Sequence, residues 1–156
     1  MGATFVFLGS GERELEQRLR EFAFKYPSSV KFIQGYNNPL AHQIYASSDF
    51  FLMPSLFEPC GIAQMIAMRY GTLPIVRETG GLIDTVKGYS HYKEEATGFS
   101  FQHYTGDSLC WAMKKAYNIY QNKNNFYLLQ KNAYKGQNLW QKSSSRYLLI
   151  FLRLTK

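Results

Sequence analysis

The chain has 156 residues, of which 46% are hydrophobic, 17% aromatic and 19% charged. That length can bury a core within one domain, and the apolar content excludes an intrinsically disordered chain. No stretch approaches the ~18 consecutive apolar residues of a membrane span, and the first residues lack the pattern of a secretory signal.

The net charge of +7 lies in the last third of the chain. Residues 1–100 hold nine Lys/Arg and ten Asp/Glu, whereas residues 101–156 hold nine Lys/Arg and one acid, Asp107. A basic segment of this kind fits nucleic acid, an anionic surface or an acidic partner, and it equally fits a solvated face. The two cysteines, Cys60 and Cys110, have no metal-ligand spacing and favour a reducing cytoplasm.

Strands and helices alternate through the first hundred residues. Apolar runs predict strands over residues 4–8, 30–36, 49–54, 73–77 and 97–101. Helical periodicity predicts helices over 12–26, 39–48, 60–70 and 81–86, and then over 109–121, 125–134 and 146–154. The polar residues 87–97 predict an exposed excursion. The alternation indicates an α/β fold with a parallel sheet flanked by helices.

Ligands of parallel sheets bind at the carboxyl ends of the strands. The segment after the third predicted strand, residues 54–64, reads Pro-Ser-Leu-Phe-Glu-Pro-Cys-Gly-Ile-Ala-Gln. The N–H groups of Gly61 and Ile62 would be unpaired at a helix start, where an anion is favoured. Glu58 could accept hydrogen bonds from sugar hydroxyls or stabilise a developing positive charge. On these residues alone, the interpretation of Glu58 as a helix-capping carboxylate and of Gly61 as a packing glycine stays open beside the functional one.

A second loop of the same kind follows the fourth predicted strand. It reads Arg-Glu-Thr-Gly-Gly-Leu over residues 77–82, and its paired glycines, Gly80 and Gly81, precede a short helix. Paired glycines are common in turns, so this loop alone is weak evidence of a site. Two helix starts at neighbouring strand ends, both suited to an anion, are more informative than either alone.

Several motifs then carry a family resemblance. They are Tyr45-Ala46-Ser47-Ser48-Asp49, Pro54-Ser55, Phe57-Glu58-Pro59-Cys60-Gly61, Gln64, Ala67-Met68-Arg69-Tyr70-Gly71, Thr79-Gly80-Gly81-Leu82-Ile83-Asp84-Thr85-Val86, Thr97-Gly98-Phe99 and Trp140. With these motifs at these spacings, nearly the whole chain resembles bacterial glycogen synthases and plant starch synthases.

The resemblance implies a retaining glucosyltransferase of the GT-B architecture, in which two Rossmann-like domains face a cleft. Such an enzyme transfers glucose from ADP-glucose to the 4-hydroxyl at the non-reducing end of an α-1,4-glucan. Residues 1–156 would be its C-terminal nucleotide-sugar-binding domain without the first part, and residues 140–156 a crossover helix. The implied partners are ADP-glucose, the glucan and an N-terminal domain. No metal, cofactor, nucleic acid or membrane is implied.

The resemblance also gives roles to residues around the loop after the third strand. It places Glu58 beside the donor glucose, in contact with its hydroxyls. It assigns Cys60, Gly61 and Ile62 to the loop and the amides around glucose and phosphate. Cys60 as a covalent nucleophile is disfavoured, because no motif links a histidine base to it.

The remaining roles fall near the start of the chain. Tyr36, after Gly35, resembles the aromatic residue that stacks on adenine. Gly9 and Ser10 resemble the loop that borders the nucleotide. On its own, Tyr36 would be one aromatic among 12 Tyr and 12 Phe, in the core or at its rim.

Departures from the family pattern are equally informative. Family members are roughly three times longer, and the N-terminal domain with its acceptor and donor segment is absent. Glu78 stands where many relatives carry a second basic residue. We therefore expect the chain to be inactive alone and expect residues 147–154, Tyr-Leu-Leu-Ile-Phe-Leu-Arg-Leu, to form a self-association patch.

Two other classes of function remain as alternatives. The first is a glucan- or partner-docking module, which would have no need of Glu58, Gly61 and the Gly80–Gly81 pair. The second is a nucleic-acid-binding domain that uses the basic C-terminal third. It lacks a recognisable motif, and its lysines are spread through helical patterns.

Overall fold

The structure, a computed structural model, describes residues 2–135 and 140–155, and for Gln141 and Lys142 it describes the backbone alone. The elements in chain order are β1 (Phe5–Gly9), α1 (Arg13–Lys25), β2 (Val30–Gln34), α2 (Asn38–Ser47), β3 (Phe50–Met53), α3 (Ala63–Arg69), β4 (Leu73–Arg77), α4 (Gly81–Thr85), α5 (Tyr89–Tyr92), a 3₁₀ turn (Lys93–Glu95), β5 (Phe99–Phe101), α6 (Gly106–Gln121), α7 (Lys123–Lys135) and α8 (Trp140–Leu154). They divide into two compact units, Met1–Ser48 and Asp49–Lys156. We call these the first and second units.

The first unit is a two-stranded parallel sheet with two helices. β1 and β2 pair in register from Phe5 opposite Val30 to Gly9 opposite Gln34. Helix α1 connects the two strands, as a parallel pair requires. Helix α2 starts where the Asn37 side chain accepts a hydrogen bond from Leu40 N at 3.0 Å, which is an ordinary N-cap.

The second unit is built on a three-stranded parallel sheet in the order β3-β4-β5. The central strand β4 is the most deeply placed, with its residues from Leu73 to Val76 all buried. Strands that are covered on both faces have continuous apolar sequences, and such an apolar run predicted this strand. Both sheets are parallel and helices follow the strands, so the predicted α/β class is confirmed.

Helices α6 and α7 pack on this sheet and close its core. Phe50 of β3 meets Phe126 with ring centroids 5.6 Å apart and Phe99 at 6.0 Å. Tyr120 lies edge-on to Phe126 at 5.0 Å. Such inclined aromatic pairs add stability beyond the area that they bury. Helix α6 begins at Gly106, three residues before the predicted start, because Thr105 caps it by accepting from Ser108 N at 3.3 Å.

The predicted exposed excursion over residues 87–97 is only partly correct. The segment forms α5 and the 3₁₀ turn, and Gly88 and Gly98 join its two ends in a parallel bridge. Ala96 is fully buried, and Tyr89 packs on Phe99 with ring centroids 5.9 Å apart. The intervening side chains, residues 90–95, are exposed as expected.

Helix α8 starts at Trp140, six residues before the predicted start. Its described side chains are all exposed, from 53% at Ile150 to 83% at Trp140 among the large apolar ones. The predicted self-association patch lies on this helix and stays a prediction. Within residues 2–135 and 140–155, no helix has both the length and the apolar character that crossing a membrane requires.

Candidate functional site

The first glycine loop, residues 54–62, connects β3 to α3 at the carboxyl end of the sheet in the second unit. It contains four of the residues singled out by the sequence: Glu58, Cys60, Gly61 and Ile62. Glu58 is half-buried, whereas Cys60 is exposed and Ile62 is 66% exposed. Helix α3 begins at Ala63 and has seven residues, so these four positions belong to the loop and not to the helix.

Gly61 gives the first glycine loop its shape. Its φ of +70° lies in the left-handed region that side-chain-bearing residues rarely adopt, which explains why the helix starts later than predicted. A Cβ at this position would lie 2.7 Å from Oε1 of Gln64. The Gln64 side chain is fully buried and donates from Nε2 to the carbonyls of Gly61 at 3.0 Å and Cys60 at 3.3 Å. The buried side-chain amide of Gln64 therefore stabilises the turn at Gly61.

The second glycine loop, Gly80–Gly81, touches the first one backbone to backbone. Gly81 N lies 3.2 Å from the carbonyl oxygens of both Glu58 and Pro59. A Cβ at Gly80, where φ is +46°, would lie 1.9 Å from Glu58 O, and one at Gly81 would lie 2.5 Å from Cys60 O. Any side chain at either position would separate the loops. Close packing therefore requires glycine at both positions, which lie at the carboxyl end of the sheet.

Three residues whose roles the sequence did not indicate tie these loops together. Gln64 Nε2 donates to Thr85 Oγ1 at 3.0 Å, and that hydroxyl donates to Gly81 O at 2.7 Å. Arg77 donates from Nε to Ser55 O at 2.7 Å and from its terminal nitrogen to the next carbonyl. Gln64 and Thr85 stand within the quoted motifs, but only the folded chain brings them together.

The open face of the first glycine loop presents backbone donors. In the described part of the chain, the N–H groups of Gly61 and Ile62 make no hydrogen bond with another residue. Such groups on a turn can bind an anion, since they supply partial positive charge without a charged side chain. No group of three or more His, Cys, Asp or Glu arranged to hold a metal ion occurs among the described residues.

The other four predicted positions lie at the carboxyl end of the sheet in the first unit. Gly35 N donates to Gly9 O at 3.0 Å, so the turns that follow β1 and β2 start side by side. Ser10 is exposed, and the Tyr36 ring is 91% exposed. Tyr36 is therefore not a core aromatic, which removes one of the two alternatives left by the sequence.

A buried carboxylate supports this end of the first unit. Glu16, only 8% exposed, accepts from Gly11 N at 3.0 Å and from Gln34 Nε2 at 2.6 Å. Arg20 contacts both Glu16, at 3.4 Å, and the Gln34 side-chain oxygen. The carboxylate thus joins the turn after β1 to the last residue of β2.

Taken together, parallel strands and glycine turns with free backbone donors define a class of α/β proteins that bind phosphate-bearing ligands at strand ends. The chain belongs to the family of glycosyl transferases group 1, whose sequence profile matches residues 2–135.

Comparison with individual proteins of this family shows a more specific similarity. The chain is 52% identical over 147 residues to a glycogen synthase of Desulfitobacterium hafniense, which covers 94% of this chain and 32% of that protein. It is 46% identical over 150 residues to a glycogen synthase of Clostridium botulinum, with 96% and 31% covered. The chain therefore spans about a third of the length of these relatives, and the resemblance found in the sequence is confirmed.

A solved structure gives the same result. The catalytic domain of starch synthase IV from Arabidopsis thaliana, bound to ADP and acarbose, matches with a TM-score of 0.84 and 33% identity. The match covers 96% of this chain and 32% of that one. It confirms the expected Rossmann-like, GT-B type of fold.

Proposed function

We propose that the chain is the donor-binding domain of a glycogen synthase. In this proposal the whole enzyme transfers glucose from ADP-glucose to the non-reducing end of an α-1,4-glucan with retention. Residues 1–156 bind the nucleotide sugar, and residues 140–156 cross back to an N-terminal domain. The glycogen synthase relatives and the ADP-bound starch synthase support this assignment. Two free, exposed cysteines fit a reducing cytoplasm.

The observation that carries the proposal is the contact between the two glycine loops. It holds the first glycine loop in a turn whose Gly61 and Ile62 N–H groups have no partner in the described chain. When the glucosyl bond breaks, negative charge grows on the departing ADP. Backbone donors that are already oriented stabilise that charge with little reorganisation, which favours the transition state over the ground state.

Glu58 takes the role of a carboxylate beside the donor glucose. Its backbone carbonyl accepts a hydrogen bond from Gly81 N, which fixes the position of the residue. The half-buried side chain takes no part in that bond and is available to the sugar. The carboxylate accepts hydrogen bonds from glucose hydroxyls and stabilises positive charge at the anomeric carbon. Cys60 contributes its backbone to the turn, and its exposed thiol borders the same site.

The first unit takes the nucleotide part of the donor. The exposed Tyr36 ring offers a flat face to adenine, since an aromatic ring stacks readily on a nucleobase. Gly9 and Ser10 border the nucleotide, and the space around a Cβ at Gly9 or Gly35 is empty to 4 Å. A ligand can therefore approach the backbone closely at these turns.

Binding of ADP tests the proposal directly. Saturation-transfer NMR of the purified chain with ADP should give a signal, and Gly61→Val should abolish it. Gly106→Ala is the matched control, because a Cβ there meets nothing within 4 Å and the position lies at the start of α6. Absence of any ADP signal from the folded unsubstituted chain would contradict the proposal.

Catalysis by the chain alone should be undetectable. The catalytic cleft of a GT-B enzyme needs both domains, and this chain spans about a third of its relatives. The assay is transfer of radiolabelled glucose from ADP-glucose to glycogen. Turnover at the rate of an ordinary enzyme, about 1 s⁻¹ or more, would show that the missing part is not needed.

A further inference from the structure

A pocket, which we call the β5 pocket, lies at the carboxyl end of β5, in the second unit. Its volume is about 420 Å³, within the range of small-molecule sites. The ends of β4 and β5, helix α5 and the first turns of α6 form its walls. The lining side chains that matter for binding are Glu78, His91, Gln102, His103, Asp107 and Trp111.

This β5 pocket is separate from the glycine loops, because Arg77, the last residue of β4, and Glu78, which follows it, bond to opposite sides. Arg77 reaches Ser55 O, in the first glycine loop, at 2.7 Å. The next residue, Glu78, instead bonds to Ser100 of β5 at 2.7 Å. Since β4 lies between β3 and β5 in the sheet, the two sites fall on either side of it.

The Glu78 carboxylate is held in position within this pocket. Its Oε1 accepts from the hydroxyl of Ser100, which is only 7% exposed, and lies 3.2 Å from His91 Nε2. Both contacts use the same carboxylate oxygen. A side chain that is positioned before binding loses less entropy when a ligand arrives, so such contacts favour affinity.

The chemistry of the lining points to a neutral ligand with many hydroxyls. Carboxylates accept hydrogen bonds, and imidazole and amide groups both donate and accept them, so together they can pair with sugar hydroxyls. Two carboxylates, Glu78 and Asp107, disfavour a phosphate. Lys115 of α6 donates to Ser90 Oγ at 2.9 Å. Trp111 is 52% exposed, with Lys115 Nζ 4.8 Å from its ring centroid, and an exposed tryptophan ring can stack on the apolar face of a sugar.

We propose that the β5 pocket binds α-glucan, as a holding site distinct from the donor site. The choice of glucan rests on the proposed function, because the acceptor is the neutral polyhydroxylated polymer that such an enzyme handles. Binding away from the reacting end keeps a long chain near the catalytic cleft and raises its effective concentration there.

Tryptophan fluorescence tests this site in isolation. The chain has two tryptophans, so Trp140→Phe leaves Trp111 as the single reporter. Maltoheptaose should change its emission in a saturable way. In that background, Asp107→Ala and Gln102→Ala should each weaken maltoheptaose binding about tenfold. Tyr127→Ala is the matched control, since that exposed aromatic residue lies on α7 outside the pocket and should not alter binding.

The outcomes separate this inference from the proposed function. Maltoheptaose binding that survives both pocket substitutions would overturn the glucan site, and so would its loss in a Gly61→Val variant whose circular dichroism shows that it is still folded. So would a fluorescence change that ADP produces and maltoheptaose does not. Binding of ADP is measured in parallel by saturation-transfer NMR. ADP binding without glucan binding would contradict only the further inference. Glucan binding without ADP binding would contradict only the proposed donor function.

Discussion

Several glycines of the second unit have surroundings opposite to those of the first. Cβ atoms added at four of them would meet other atoms at 1.9 to 2.5 Å, whereas one at Gly106 would meet no described atom within 4 Å; the four are Gly80, Gly81, Gly88 and Gly98. In the first unit, no atom of the described residues lies within 4 Å of an added Cβ; these glycines are Gly2, Gly9, Gly11 and Gly35. The same residue type therefore lets segments pack closely in one unit and is surrounded by open space in the other.

The second unit is also more deeply buried than the first. The second unit has a continuous core that runs from Met68 through β4 to Ala133. Among the described residues of the first unit, only Glu16 and Val30 are buried. Substitutions at its turns should thus report on ligand binding, whereas those at the glycine loops of the second unit should report on folding as well.

The largest loss of stability is expected from Gly80→Ala. The new methyl group would overlap Glu58 O, and alanine is strained at a φ of +46°. Overpacking and backbone strain together should cost about 3 kcal/mol of unfolding free energy. Urea denaturation measures it, with Gly106→Ala as the control. A loss of unfolding free energy below about 1 kcal/mol would contradict the difference in glycine packing between the two units.

A smaller loss is expected from Gln64→Leu. Leucine removes the donor shared by Cys60 O, Gly61 O and Thr85 Oγ1 and leaves these groups without it, at a cost of about 2 kcal/mol. Gln43→Leu, at an exposed position in α2, should change stability by less than about 0.5 kcal/mol. Equal stability of the two variants would mean that the buried amide does not support the first glycine loop.

Glu16→Gln should cost still less, about 1 kcal/mol, because the amide keeps one acceptor but loses the charge that strengthens its hydrogen bonds. Hydrogen exchange at Gly11 N–H is the sharper measurement, since that group bonds to the carboxylate at 3.0 Å. It should exchange faster in the variant. Glu14→Gln, on the exposed face of α1, should leave its rate unchanged.

The smallest effect on stability is expected from Gly9→Val. Valine suits a strand end with open space around it, so unfolding free energy should move by less than about 0.5 kcal/mol. Affinity for ADP should nevertheless fall about tenfold or more, because the side chain occupies the approach to the nucleotide. Unchanged ADP affinity in a stable variant would remove Gly9 from the proposed site.

Much of the fold follows from local pattern. The predicted strand from Leu73 to Arg77 coincides with β4, since an apolar run bounded by glycine and polar residues is a local signal. The ends of α1 and α7 fall within two residues of their predicted ends for the same reason. Thr105 was an available N-cap signal for the true start of α6.

Other features depend on contacts that no local pattern carries. The late start of α3 follows from the left-handed Gly61 and its buried neighbour Gln64. The burial of Ala96 follows from the bridge between Gly88 and Gly98, which lie ten residues apart. The eight predicted site residues lie in the turns and loops that follow strands, but two of the contacts that hold these loops, Gln64 with Thr85 and Arg77 with Ser55, join residues more than 20 positions apart.

The contact between the two glycine loops has a consequence for how the site can change. It is made by backbone atoms of Glu58, Pro59, Gly80 and Gly81, so it does not depend on the side chains around it. Leu56 and Phe57 of the first glycine loop and Ile83, which follows the second, are exposed, and their side chains take no part in that contact. A protein engineer can therefore vary these three positions to alter ligand preference while the framework beneath them stays intact.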